Sequence, residues 1–142
     1  MASTSYDSLT HDVAAGNVVL STDTLYVMLV SGYTPVKATH AHRSDVTGEV
    51  TGTGYAAGGQ ALSGVAATLN TGSNLTLLTA TNPAWASSTI SATGAVVYKH
   101  RGGASSADEL VSYVDFGGTV TSTAAAFTIT SFATNGFLSI NA

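Results

Sequence analysis

The sequence predicts an all-β chain, an antiparallel β-sandwich or jelly-roll-like barrel with one short N-terminal helix. Short apolar stretches recur about every 8 to 15 residues, separated by Gly, Asn, Ser and Pro. One of them, Leu25-Tyr26-Val27-Met28-Leu29-Val30, is apolar on both alternating faces. Helical periodicity is confined to one short segment near the start. With 142 residues the chain fits a single domain, 1–142, of a size that buries roughly 70% of the surface its unfolded form exposes.

Within the N-terminal segment, 1–16, Tyr6, Leu9 and Val13 lie at helical spacing. Ser3, Thr4 and Ser5 offer N-caps and Gly16 a stop, which predicts a helix over about Tyr6 to Ala15. Its apolar stripe is narrow, so it belongs at the domain edge or against a neighbouring subunit. The run from Thr24 to Val30 needs cover on both faces and is therefore a central strand. After it comes a long polar loop, 33–59, ending in glycines.

Beyond the loop, Leu62 to Leu69 and Leu75 to Ala80 flank Asn70-Thr71-Gly72-Ser73, a hairpin signal in which Gly72 can take positive φ. Asn82-Pro83 breaks the ladder before Trp85. A short strand over Thr89 to Ser91 and a second over Gly94 to His100 are expected. A loop over Arg101 to Asp108 and a strand over Leu110 to Phe116 follow, with Gly117-Gly118 turning the chain. Val120, Ala126 to Phe132 and Gly136 to Ile140 complete the pattern.

Charged residues make up 8% of the chain, against about 25% in an ordinary soluble domain. A surface covered by Ser, Thr, Ala, Asn and Gly repels its own copies weakly and favours an assembled state. The net charge is −4 and the basic residues are Lys37, Arg43, Lys99 and Arg101. Nucleic-acid binding, which needs several cations on one face, is therefore not expected. Cysteine is absent, which excludes disulfides and thiolate metal sites. Met1-Ala2-Ser3-Thr4-Ser5 lacks the basic start and apolar core of a signal peptide, and no apolar run approaches the ~20 residues of a membrane span, so no membrane partner is expected.

The loop gathers His40, His42, Asp45 and Glu49, whose nitrogens and oxygens are chemically able to hold zinc. Their spacing matches no metal motif, and a polar loop that caps turns accounts for the same residues, so no metal or other cofactor is assigned. Serines and histidines allow a paper triad, but no Gly-x-Ser-x-Gly elbow accompanies them and no catalytic residue is named. Gly52-x-Gly54 and Gly58-Gly59 lack the Lys-Ser/Thr ending of a phosphate loop. Trp85, Tyr33, Tyr55, Tyr98 and Tyr113 have the chemistry of sugar-stacking rings and equally that of core or interface residues.

Thr22-Asp23-Thr24-Leu25-Tyr26-Val27-Met28-Leu29, Gly32-Tyr33-Thr34-Pro35, His40, Asp45-Val46 and Glu49-Val50-x-Gly52-Thr53-Gly54-Tyr55-x-x-Gly58-Gly59 form a recurrent set of motifs. With the Trp85 to Lys99 segment and Tyr113-Val114-Asp115-Phe116-Gly117-Gly118, this pattern resembles small virion structural proteins of tailed bacteriophages. The likeness runs from about Thr22 to Phe132; the N-terminal segment and the low-complexity Thr121 to Ala126 stretch depart from it.

The resemblance implies a non-enzymatic capsid decoration or cement protein, made in the host cytoplasm and carried on the capsid surface. It implies the major capsid protein as partner and a homo-oligomer, dimer or trimer. The long contact loop, 33–59, and the N-terminal segment are then the expected contact regions, with Tyr33, His40, His42, Arg43 and Tyr55 as candidate interface residues. A tail, neck or fibre component and a carbohydrate-binding host-attachment module are the rival readings.

Overall fold

The strand Leu25–Val30 (β2) sits inside a five-stranded antiparallel sheet, as a run apolar on both faces requires. The computed structural model describes residues 2–141. Over that span the other elements are β1 (Ala2–Ser5), α1 (Asp7–Ala14), β3 (Gln60–Ala61), β4 (Ala66–Asn70), β5 (Leu75–Thr79), β6 (Ala84–Lys99), β7 (Leu110–Thr128) and β8 (Leu138–Asn141). The first sheet has the order β1-β7-β6-β2-β3, and a second, three-stranded sheet has the order β4-β5-β8. Neither is closed on itself, so the barrel alternative is not realised.

The two faces of β2 have different covers. Leu25, Val27 and Leu29 join Val97 and Val111 of the first sheet, Leu78 and Leu138 of the second, and Leu9 of α1 in one core. Met28 and Val30 point the other way, into a smaller cluster with Tyr6, Tyr33, Val96, Tyr98, Leu110 and Tyr113. Full burial of each such side chain contributes roughly 1.5–3 kcal/mol, so leaving either face open would be costly. The helix therefore serves the inter-sheet core, while the second face is closed by Tyr6 and by the segment after β2.

Several sequence expectations change in detail. Ser3, Thr4 and Ser5 do not cap the helix, because they form β1, where Thr4 pairs Tyr113 and Ser5 pairs Ser112. Extended Tyr6 precedes α1 and gives no side-chain cap. Gly16, at φ 77°, does follow the last helical turn, with Ala15 N–H donating to the His11 carbonyl at 2.8 Å. In the β4–β5 hairpin the left-handed residue is Asn74, at φ 54°, rather than Gly72.

The largest difference lies in β6 and β7, which form one long ribbon instead of several short strands. Gly117-Gly118 does not turn the chain. Ala92 pairs Val120 and Gly94 pairs Asp115, so residues 116 to 119 stand opposite Thr93 alone. Asp115 Oδ1 accepts the Gly117 N–H at 2.8 Å, which fixes this multi-residue bulge within the strand. The low-complexity Thr121 to Ala126 stretch is strand too, where Ser88 and Ser122 hydroxyls meet at 2.8 Å in the interior.

Loop and sheet meet most closely at Gly59, whose φ of 79° belongs to the left-handed region. A Cβ there would run into the Val27 carbonyl oxygen, which cannot retreat without breaking the β2–β3 pairing of Val27 with Gln60. Gly59→Ala is expected to cost roughly 2–4 kcal/mol of stability, from strain and collision together. Urea unfolding measures this; a loss within experimental error would show that the loop end is free to move away from β2.

Candidate functional site

The segment from Gly32 to Gly59 is irregular, yet it is bound to the sheet along its length. Ser31 N–H donates to the Gly48 carbonyl (2.8 Å), and Val50 N–H to that of Leu29 (3.0 Å). Arg43 N–H and Leu110 N–H reach the carbonyls of Asp108 and Ala41, both at 2.9 Å. Thr89 N–H closes the series on Thr53 at 2.9 Å. A loop without its own ladder satisfies its backbone this way, by borrowing donors and acceptors from neighbouring strands.

Its polar side chains also turn inward. Tyr33 is buried, and its hydroxyl lies 2.9 Å from that of Tyr6 and 2.8 Å from His40 Nδ1. Val36 N–H also points at Nδ1, at 3.3 Å. A backbone N–H can only donate, so Nδ1 accepts, and the hydrogen bonds run from Tyr6 to Tyr33 to His40. The His40 ring stacks on Tyr33 with centroids 5.7 Å apart. Burial and the neighbouring Tyr33 hydroxyl raise the Tyr6 phenol well above its usual range.

Residues Arg43–Asp45 form a single 3-10 turn. Asp45 Oδ2 accepts the N–H groups of Ala41 (2.9 Å) and His42 (3.0 Å). The bond from His42, then that from Ala41, holds the Asp45 carboxyl below the usual aspartate range. Arg43 Nε donates to Asp108 Oδ2 at 2.8 Å, and Asp108 is completely buried. The guanidinium carbon also lies 5.1 Å from the centre of the Tyr98 ring. Burial pushes the Tyr98 phenol up to about 12 against the opposing pull of Arg43.

The loop's far end is fixed by Glu49. Its Oε1 accepts the Tyr55 hydroxyl at 2.8 Å and the Gly58 N–H at 2.5 Å. The Tyr55 hydroxyl in turn accepts Leu29 N–H at 3.0 Å, and Tyr98 donates to the Gly58 carbonyl at 2.6 Å. Burial raises the Tyr55 phenol, with the Glu49 carboxylate adding to it.

The five candidate interface residues thus fall into two groups. Tyr33 and Tyr55 hold the loop to the sheet, whereas His40, His42 and Arg43 are half-buried and keep an outward edge. The longest exposed run in the first half of the loop is the crest Val36-Lys37-Ala38-Thr39. Sequence reading missed the partners Tyr6 and Asp108, because contacts across 27 and 65 residues leave no local spacing signal. Among the described residues no three His, Asp or Glu side chains converge on a possible metal position. Trp85, Tyr33, Tyr98 and Tyr113 are buried and Tyr55 is partly so, so these five rings form no open row for a sugar.

Compared with known protein families, curated proteins and solved structures, the chain matches none.

Two outcomes follow from this geometry. Arg43→Ala leaves the Asp108 carboxylate buried without its cation and is expected to cost about 3–5 kcal/mol in urea unfolding; a cost below about 1 kcal/mol would show that the pair behaves like an exposed one. Asp45, with a lowered folded-state pKa, contributes stability that is present above its unfolded value near pH ~4 and is lost as the pH falls through the folded value. Asp45→Asn should flatten that acid limb of stability against pH, and an unchanged limb would contradict the assignment.

Proposed function

We propose that the protein is a non-enzymatic structural component of an assembled particle, specifically a tailed-phage capsid decoration or cement protein. The observation that carries this reading is the inward commitment of the loop's polar groups. Tyr33, His40, Arg43, Asp45, Glu49 and Tyr55 are occupied in holding the fold together, so the richest polar segment offers no open constellation for catalysis. Supporting it is the sequence resemblance together with a weakly charged surface suited to many shallow contacts.

In this reading the two sheets act as a rigid sandwich that presents surfaces to a lattice. Small contacts gain strength when an assembled shell repeats them, since each new engagement is effectively intramolecular. A protein that binds the shell but not its separated subunits stabilises the shell by linkage. The exposed crest Val36 to Thr39 is one part of the loop free to touch the major capsid protein, with His40, His42 and Arg43 at its base. Burial of Tyr33, Trp85, Tyr98 and Tyr113 speaks against the carbohydrate-binding alternative.

Imaging of intact particles that contain the chain tests the placement. A copy number near that of the capsid subunit, with density over the shell, is the expected outcome, and a few copies at one vertex would overturn it. Val36→Asp, a change at an exposed position, is expected to weaken particle binding and heat protection while leaving the thermal unfolding of the isolated chain within experimental error. Undiminished binding would remove the crest from the contact surface.

A further inference from the structure

The ionisable residues are segregated. Between Val50 and Tyr98, and again from Phe116 onward, the sequence contains no Asp, Glu, Lys, Arg or His. The three-stranded sheet is therefore built entirely from uncharged residues. Its edge strand β4, Ala66-Ala67-Thr68-Leu69-Asn70, is exposed at every position. β5 covers one side of it, and the other side has no backbone hydrogen-bond partner among the described residues.

Edge strands are normally protected by a charge, a proline, a bulge or a covering segment. The β4 edge has none of these: its register with β5 is unbroken from Ala66↔Thr79 to Asn70↔Leu75. Ala67 lies opposite Leu78, which is buried in the core, so Ala67 and Leu69 share the sheet's inward face. Toward the hairpin tip this face overhangs the core. Leu69 is 71% exposed, and Val13, Val19 and Ile140 are 41%, 45% and 39% exposed. All four line three neighbouring hollows that share Ile140, the largest about 520 Å³.

We propose that this edge and the cleft beneath it bind a second copy of the same chain about a two-fold axis, independently of any particle. Charge selects this occupant. An ordinary protein surface is about a quarter charged and would bring ions into a cleft with no counter-ion. The same chain's own β4 face brings none, so two copies with net charge −4 each meet where neither carries charge.

Geometry agrees. Antiparallel pairing of identical edges is closed under a two-fold axis, and an axis at Thr68, the middle of the strand, sets Leu69 of one copy directly opposite Ala67 of the other. Directly opposed residues share a face, so each Leu69 lands beside the apolar lining formed by Ala67, Val18, Val19 and Leu20. A single register thus satisfies the free edge and covers the overhang in both copies, and the two sheets merge into one of six strands.

Sedimentation equilibrium on the full chain, over micromolar to submillimolar concentration, tests the proposal. The wild type is expected to reach twice the chain mass, and Leu69→Asp to weaken the association by at least about tenfold. Val120→Asp, exposed elsewhere, should leave it unchanged. Because the chain has no cysteine, Thr68→Cys supplies a lone thiol at the axis, and mild oxidation should give a covalent pair far faster than for Val120→Cys. A monomeric wild type, a trimer, an association indifferent to Leu69→Asp, or equal cross-linking of the two cysteine variants would each overturn the proposal. A monomer whose Leu69→Asp variant loses particle binding would assign the cleft to the lattice instead.

Discussion

A strand with apolar residues on both faces cannot stand at the surface, and β2 imposes that constraint on the rest of the molecule. One face is met by the second sheet and Leu9, the other by Tyr6, Tyr33 and neighbouring side chains of β6 and β7. The cover on the second side has no helix or sheet of its own. It is a loop, and a loop can shield an apolar face only if its backbone and polar side chains find partners. The inward hydrogen bonds of His40 and Asp45 are the consequence, whereas Tyr55, near the loop's far end, packs against the inter-sheet core.

This requirement accounts for a polar segment that resembles a site yet behaves as a brace. Burying Asp108 is tolerable because Arg43 Nε and the Arg101 N–H both reach its carboxylate. His100 sits beside the same carboxylate, its Nδ1 3.9 Å from Asp108 Oδ2, and stacks on Tyr26 with centroids 4.1 Å apart. Charged and ionisable groups therefore collect where the loop crosses the ends of β6 and β7. The strands of the three-stranded sheet carry none of these groups.

The sequence made the main divisions visible for physical reasons. The two-faced apolarity of Leu25 to Val30 is a local signal, as are the helical spacing of Tyr6, Leu9 and Val13 and the hairpin around Thr71. Continuity through Gly117-Gly118 was hidden, because whether two glycines turn a strand or bulge it depends on the length of the partner strand β6. The capping roles of Ser3 to Ser5 were lost to a tertiary pairing with β7, which offers more hydrogen bonds than a cap does. Of the candidate site, the residues were recognisable but their direction was not, since Tyr6 and Asp108 lie far away along the chain.

Native-state hydrogen exchange most directly tests whether the loop is an integral cover. The amides of Ser31, Arg43, Val50 and Leu110 join loop to sheet, whereas those of Val27 and Val97 lie inside the first sheet. If the loop closes the second face of β2, both groups open with the same free energy as global unfolding. Exchange of the loop amides through a low-energy local opening, with β2 still protected, would contradict the account and make the segment a detachable arm.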